Sequence, residues 1–143
     1  MARAVTLLLY DIVLVSIAIE DIRDRKISNR QVLLILVLAF AANFTMPEIS
    51  TFSRILGIFA VSMPMLLLVF LVPGSFGGGD IKLVFACGVF LGWKLLLKGV
   101  VIAIFLAGIY ACRLLIIRKE PRQCQFALGP FLSIGFLIVT KNL

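Results

Sequence analysis

Two aspartates in this chain of 143 residues stand where a hydrolytic site could form. Asp21 ends the first apolar run, and Asp80 directly follows Gly77, Gly78 and Gly79 at the start of the fourth. If the runs are successive membrane helices, these two helix ends lie on the same side of the bilayer. Two close carboxylates share a proton, so one can act as a base toward water and its partner as an acid toward a carbonyl. The spacing therefore predicts Asp21 and Asp80 as a catalytic pair.

The composition excludes several other kinds of chemistry. The chain has no histidine, which rules out Ser-His-Asp and Cys-His catalysis, HExxH zinc sites and histidine-ligated haem. Its three cysteines, Cys87, Cys112 and Cys124, have no CxxC spacing, so neither a zinc ribbon nor a disulfide framework is indicated. The three glycines lack the Gly-Lys-Ser/Thr sequence of a phosphate-binding loop. We expect no metal and no cofactor.

The elements that must position the aspartates are predicted to be membrane helices. Hydrophobic residues make up 62% of the chain and the mean hydropathy is +1.17, whereas soluble domains are about 45–50% apolar. Six spans of about 20 residues would nearly exhaust the length. We therefore predict an all-α polytopic membrane protein, one domain over residues 1–143, with about six transmembrane helices. The apolar runs are Val5–Ile19, Val32–Phe44, Ile55–Val72, Ile81–Trp93, Gly99–Ile117 and Phe126–Thr140.

Two alternatives concern individual runs. The second run is short and stops before Pro47, so five spans with this run re-entrant is the main competing count. The first run has the length of a signal peptide. However, no small-x-small cleavage site follows it and it ends in acidic residues, so we expect a retained helix.

The net charge of +7 is explained by membrane orientation. Nine of the fourteen Lys and Arg residues fall in or beside the first, third and fifth connections, and five on the opposite side. The positive-inside rule then places those three connections in the cytoplasm and both termini outside. Nucleic-acid binding is not needed to account for the charge. The nine are Arg23, Arg25, Lys26, Arg30, Lys82, Arg113, Arg118, Lys119 and Arg122.

Three segments resemble the motifs of one peptidase family. Gly77–Leu83 reads as GxGD followed by x-Lys-Leu, and Asp21–Asn29 resembles the basic D…IPN segment of type IV prepilin peptidases. Ala127–Leu132 is similar to that family's Gly-Pro-Phe-Leu segment. The three occur in the family's order, and the chain is most similar to the short Flp or tight-adherence members.

The resemblance implies a fold, an activity and a substrate. The fold would be a GxGD helix bundle in the cell membrane. The activity would be removal of the short basic prepilin leader at the cytoplasmic face, with catalytic roles for Asp21 and Asp80. Partners would be the prepilin and membrane lipid, and the oligomeric state stays open. The competing interpretation is a small transporter or a pilus-assembly subunit without peptidase activity.

The sequence also departs from the family's pattern. Ser28 stands where the family commonly has proline, and its spacing to Gln31 predicts a capping box at the start of the second helix. The four-cysteine cytosolic insertion of the larger members is absent. We therefore expect leader cleavage without N-methylation.

The remaining charged residues have more general interpretations. Lys82 lies about 200° around a helix from Asp80, so it should point away toward lipid phosphate or an acidic substrate group. Arg23, Arg25 and Lys26 crowd the same face and are candidates for the same contacts. Asp24 competes with Asp21 but is flanked by arginines, so we expect it to be solvated. Asp11 lies in the middle of the first run, about 15 Å from Asp21. There it could pair with a polar partner or be protonated.

Overall fold

The computed structural model describes residues 1–72, 76–118 and 128–141. Six helices and no strand occur within these ranges, which confirms the all-α class. The helices are α1 (Ala2–Asp24), α2 (Asn29–Thr45), α3 (Thr51–Ala60), α4 (Ser62–Leu71), α5 (Gly78–Arg118) and α6 (Gly129–Thr140).

Three stretches are long and apolar enough to cross a membrane by themselves. They are Ala2–Asp24, Thr51–Leu71 and Gly78–Leu114. The second stretch combines α3 and α4, which are separated at Val61. The shorter α2 and α6 are also apolar, with 17 and 12 residues. An all-α membrane protein is therefore what the helices themselves indicate.

Helix α5 contains the fourth and fifth predicted spans, joined without a loop. Gly92 has φ 73° and ψ 167°, the one non-helical residue inside α5. A positive φ of this kind is accessible to glycine at little cost, so the chain can change direction within a single residue. The sequence led us to expect a polar connection around Lys94 and Lys98. That expectation was wrong, because both lysines lie within the helix, in the part that follows Gly92.

Contacts between helices establish their directions. Gly135 of α6 packs against Gly99 and Ala103 of α5, while the Phe131 ring lies 5.4 Å from that of Tyr110. The part of α5 after Gly92 therefore runs antiparallel to α6. The chain returns after Gly92 toward the end of the bundle where α5 began.

The two ends of the bundle hold different groups. We call the end that contains Asp21, Asp80 and Gly129 the aspartate end. Helix α2 begins there, where Asn29 contacts Lys82, and it finishes at the opposite end beside Arg54. Since α2 extends from one end of the bundle to the other, the structure favours six segments over a re-entrant second run.

Candidate active site

Asp21 lies in the last turn of α1 on the face that packs into the protein. The buried residues spaced along this face are Thr6, Tyr10, Leu14, Ile17 and Asp21. Asp21 is only 5% exposed, whereas Asp24 is exposed at the end of the helix. Arg25 then adopts a left-handed conformation (φ 51°, ψ 37°), and its N–H donates to the Asp21 carbonyl at 3.0 Å. Local helix geometry thus directs Asp21 inward and leaves Asp24 in the solvated position expected for it.

The carboxylate of Asp21 meets the start of α6. The backbone N–H of Gly129 donates to Asp21 Oδ2 at 3.0 Å, and this contact is buried. The first N–H groups of a helix have no partner within the helix, and the helix dipole favours a negative charge there. Pro130 in the first turn is compatible with a helix start, because proline lacks an N–H that would have no partner within the helix there. The Gly-Pro segment therefore supplies a backbone hydrogen-bond donor to the Asp21 carboxylate, a role that sequence reasoning did not assign.

Asp80 occupies the first turn of α5 and is 9% exposed. The helix starts at Gly78, two residues earlier than the sequence indicated, so Asp80 is its third residue. Its backbone N–H donates to the Gly77 carbonyl at 3.1 Å, and its side chain interacts in turn with the Gly77 backbone amide. This reciprocal arrangement resembles the acidic half of a capping box.

The structure brings the two carboxyl groups together. Asp21 and Asp80 are near enough for the Asp21 charge to act on the Asp80 carboxyl group. Each carboxyl group lies at a helix N-terminus, where negative charge is favoured. The Asp21 carboxyl group, carried by α1, contacts the start of α6, and that of Asp80 lies at the start of its own helix, α5. Such a pair can hold one negative charge and one proton, as general acid–base hydrolysis requires.

The glycine segment differs from the predicted loop. Gly78 and Gly79 belong to the first turn of α5, and Gly77 alone of the three lies outside the helix. A Cβ on Gly79 would lie 3.1 Å from the Ile27 Cβ, whereas one on Gly78 would meet nothing within 4 Å. Gly79 thus allows the connection between α1 and α2 to pack closely. A Cβ on Gly77 would lie 3.2 Å from Asp80 Oδ2, so Gly77 is the glycine beside the carboxyl group.

The basic residues at the aspartate end separate into two groups. Arg23, Arg25 and Lys26 are exposed around the end of α1. Lys82 is exposed too, and its Nζ donates to Asn29 Oδ1 at 3.1 Å. Lys82 thus has a partner within the protein, which the sequence did not predict.

The prediction of a capping box at the start of α2 is wrong, because its side-chain hydrogen bonds do not form. Ser28 is indeed the N-cap residue, with φ −68° and ψ 132°, but its side chain makes no capping hydrogen bond. Gln31 Nε2 donates instead to Ser16 Oγ of α1 at 2.8 Å. Contact between α1 and α2 therefore replaces the local interaction that the spacing suggested.

Asp11 finds a polar partner on another helix. The Thr140 hydroxyl donates to Asp11 Oδ1 at 3.0 Å, which joins the middle of α1 to the last residue of α6. An ionisable group inside a membrane helix is expensive unless it is paired, so this contact accounts for its presence. The sequence left two interpretations of Asp11 open, and the structure agrees with the one in which Asp11 pairs with a polar residue of another helix.

Arg54 is a buried cation that sequence reasoning treated only as a positive charge on the outer side. It is 4% exposed in α3, and its guanidinium donates to carbonyls at the ends of α2 and of the first part of α5. Helix C-termini favour cations, and unpaired carbonyls there need donors. The acceptors, at 2.7–3.4 Å, are the carbonyls of Ala42, Met46, Val89 and Phe90.

Replacing Arg54 with methionine should destabilise the protein markedly. The change removes charge-assisted hydrogen bonds and leaves buried carbonyls without donors, so we expect a loss of about 3 kcal/mol. Thermal unfolding in detergent, followed by helical circular dichroism, measures it. The control is Arg3→Met, which breaks the exposed Arg3–Glu48 ion pair and should cost about 0–1 kcal/mol. Equal melting temperatures for the two variants would contradict a stabilising role for Arg54.

Metal ligands do not cluster in the part of the chain described here. Within residues 1–72, 76–118 and 128–141, no group of three or more His, Cys, Asp or Glu residues is placed to hold a metal ion.

Fold and site together define a helical membrane protein with two interacting, buried aspartates at one end. Comparison with known proteins assigns the family. The profile of the type IV leader peptidase family matches residues 8–112, most of the chain, and the chain belongs to that family. The matched range includes Asp21 and Asp80 and ends before Gly129.

A curated relative is similar over much of this chain. The prepilin leader peptidase/N-methyltransferase of Bacillus subtilis (strain 168) is 25% identical over 125 residues, which is 87% of this chain and 50% of the relative. The chain thus spans about half the length of that protein. No solved structure matches. The family resemblance drawn from the three motifs is confirmed by these comparisons, which support prepilin processing in general.

Proposed function

We propose that this chain is a membrane aspartic endopeptidase that removes the leader of Flp-like prepilins through Asp21 and Asp80. The observation that carries the proposal is the buried, interacting pair of carboxyl groups, one from α1 and one from α5, at one end of the bundle. Membership of the type IV leader peptidase family supports the substrate class.

The chemistry follows from one proton shared between the two acids. The ionised carboxylate takes a proton from water, and the resulting hydroxide attacks the carbon of the scissile carbonyl while the other acid protonates its oxygen. Collapse of the tetrahedral diol breaks the C–N bond: the leaving nitrogen receives the proton that the pair took from water, and a hydroxyl of the diol returns its proton to the other carboxylate. The amides of Gly129 and Gly77 stabilise the negative charge throughout.

The substrate must present an extended peptide bond to this pair, since a helix ties up its carbonyl groups. Gly77, whose missing side chain would lie 3.2 Å from Asp80 Oδ2, is exposed and leaves room for such a segment next to Asp80. The exposed Arg23, Arg25 and Lys26 suit an acidic residue on the mature side of the pilin or a lipid phosphate. A basic leader would then be held by other groups or by solvent.

Co-expression with a Flp-type prepilin tests the activity. Mass spectrometry of the pilin should show loss of the leader and, because this chain lacks the four-cysteine insertion, a free N-terminal amine without a methyl group. An uncleaved pilin in the presence of well-folded protein would overturn the peptidase. Cleavage followed by methylation from S-adenosylmethionine, by the purified chain alone, would overturn only the expectation that the new N-terminal amine stays unmethylated.

The cytoplasmic face is a further prediction, based on the nine-to-five bias of Lys and Arg. In a background without native cysteines, single cysteines at Ser28, Ser75 and Lys119 should react with membrane-impermeant reagents only from the cytoplasmic side. Ser75 and Lys119 lie outside the described residues. A cysteine at Thr51 is the matched control and should react from the outside. External labelling at Ser75 together with cytoplasmic labelling at Ser28 would place the aspartates on opposite sides and contradict the mechanism.

A further inference from the structure

The connection between α1 and α2 packs against the first turn of α5, beside Asp80. Ile27 is partly buried there, and its Cβ lies 3.1 Å from the position that a Cβ on Gly79 would take. Gly79 immediately precedes Asp80 in the chain. The segment that follows Asp21 therefore lies in van der Waals contact with the residue before the other aspartate.

A hydrogen bond joins the same two elements farther along. Lys82 Nζ donates to Asn29 Oδ1 at 3.1 Å, with Lys82 in the second turn of α5 and Asn29 the first residue of α2. Cations are disfavoured near helix N-termini, and this ammonium lies close to two of them. Helix stability therefore does not explain a lysine here, and its partner Asn29 indicates another role.

Together these contacts close a ring through the site. From Asp21 the chain turns at Arg25, whose N–H is bonded to the Asp21 carbonyl, and continues through Ile27 to Asn29. Lys82 then connects Asn29 back to the helix that carries Asp80. The separation of the two carboxyl groups depends on where the connection sits against α5.

We propose that Lys82 and Asn29 are positioning residues that hold the α1–α2 connection against α5 and so set the separation of Asp21 and Asp80. This inference rests on the proposed function and refines it. It replaces the lipid or substrate contact that the sequence suggested for Lys82. Because the mechanism needs both acids on one water and one carbonyl, a small displacement of either should slow the chemical step more than it weakens binding.

Kinetics of five variants test the proposal in purified protein. Lys82→Met and Asn29→Ala should each lower kcat about ten- to a hundredfold with little change in KM. The double variant should be no slower than the worse single variant, because both remove the same contact. Lys82→Arg and Asn29→Asp keep a donor and an acceptor and should retain most of the activity. Additive losses, or a Lys82→Met defect that follows anionic lipid content while Asn29→Ala is normal, would overturn the proposal.

A crosslink measures the geometry without using activity. With Cys87, Cys112 and Cys124 replaced by alanine, Ile27→Cys with Gly79→Cys places two Cβ atoms near the distance that disulfides require. Oxidation should form the crosslink quickly, and adding Lys82→Met should slow it severalfold. An unchanged crosslinking rate together with unchanged kcat would overturn the positioning role and leave the peptidase proposal intact. If instead Asp80→Asn cleaves normally, the proposed function fails whatever the crosslink shows.

Discussion

Replacing Asp80 with asparagine should reduce prepilin cleavage by about a thousandfold or more while the protein still inserts and folds. Asparagine keeps the size of the side chain but cannot accept and return a proton, and general acid–base catalysis contributes about 10²–10⁴-fold. Asp21→Asn should have an effect of similar size. Leader removal, measured as a rate by gel shift in purified protein, compares the variants.

The double variant and a matched control sharpen this result. Asp21→Asn with Asp80→Asn should be no slower than the slower single variant, because in the proposed mechanism the two acids act as a unit. Asp24→Asn alters an exposed aspartate three residues from Asp21 and should retain nearly normal activity. Near-normal cleavage by Asp80→Asn would contradict the aspartate pair. Loss of pilus assembly without any loss of cleavage would favour a structural role instead.

Much of the fold could be predicted because the membrane imposes it. Each apolar run corresponds to a helical segment, since backbone polar groups in a bilayer must be satisfied within a helix. The alternating direction of the segments then placed Asp21 and Asp80 at one end, as the structure also has them. Hydrophobicity and the order of the runs were sufficient for both.

The turn at Gly92 could not be predicted in the same way. Lys94 and Lys98 look like a polar connection, and a single glycine inside an apolar run gives little sign that it reverses the chain. The turn depends on the surroundings: a Cβ on Gly92 would lie within 2.9 Å of both Ser53 Oγ and the Ile49 side chain. Such packing comes from a part of the chain about forty residues away and leaves no local pattern.

Arg54 and Gln31 were misread because their partners are distant or unexpected. Arg54 reaches carbonyls of helices that precede and follow it, and any helix end offers such acceptors, so no residue type marks them. Gln31 could bond Ser28 locally but bonds Ser16 of α1. Polar side chains at the boundaries of this bundle are thus used between helices, and a single sequence does not reveal those pairings.

Gly129 is the residue of the Gly-Pro-Phe-Leu segment that contacts Asp21. Replacing it with alanine should strongly impair catalysis. A Cβ would overlap Asp21 Oδ2 and lie 2.9 Å from Asp21 Cγ, so the carboxylate would have to move away from the Gly129 N–H. Displacement of a catalytic group by about 1 Å can cost about a hundredfold, and we expect kcat to fall by about that amount.

The control for this change is another glycine in a helix. A Cβ on Gly108 would meet nothing within 4 Å, so Gly108→Ala should leave cleavage unchanged and, through helix propensity, stabilise the protein slightly. If Gly129→Ala were as active as Gly108→Ala, the amide of α6 would not hold Asp21 in the working enzyme. A fall in kcat with an unchanged melting temperature would instead show that the start of α6 contributes to the reaction itself. The Gly-Pro segment would then belong to the active site although it lies more than a hundred residues from Asp21 in the chain.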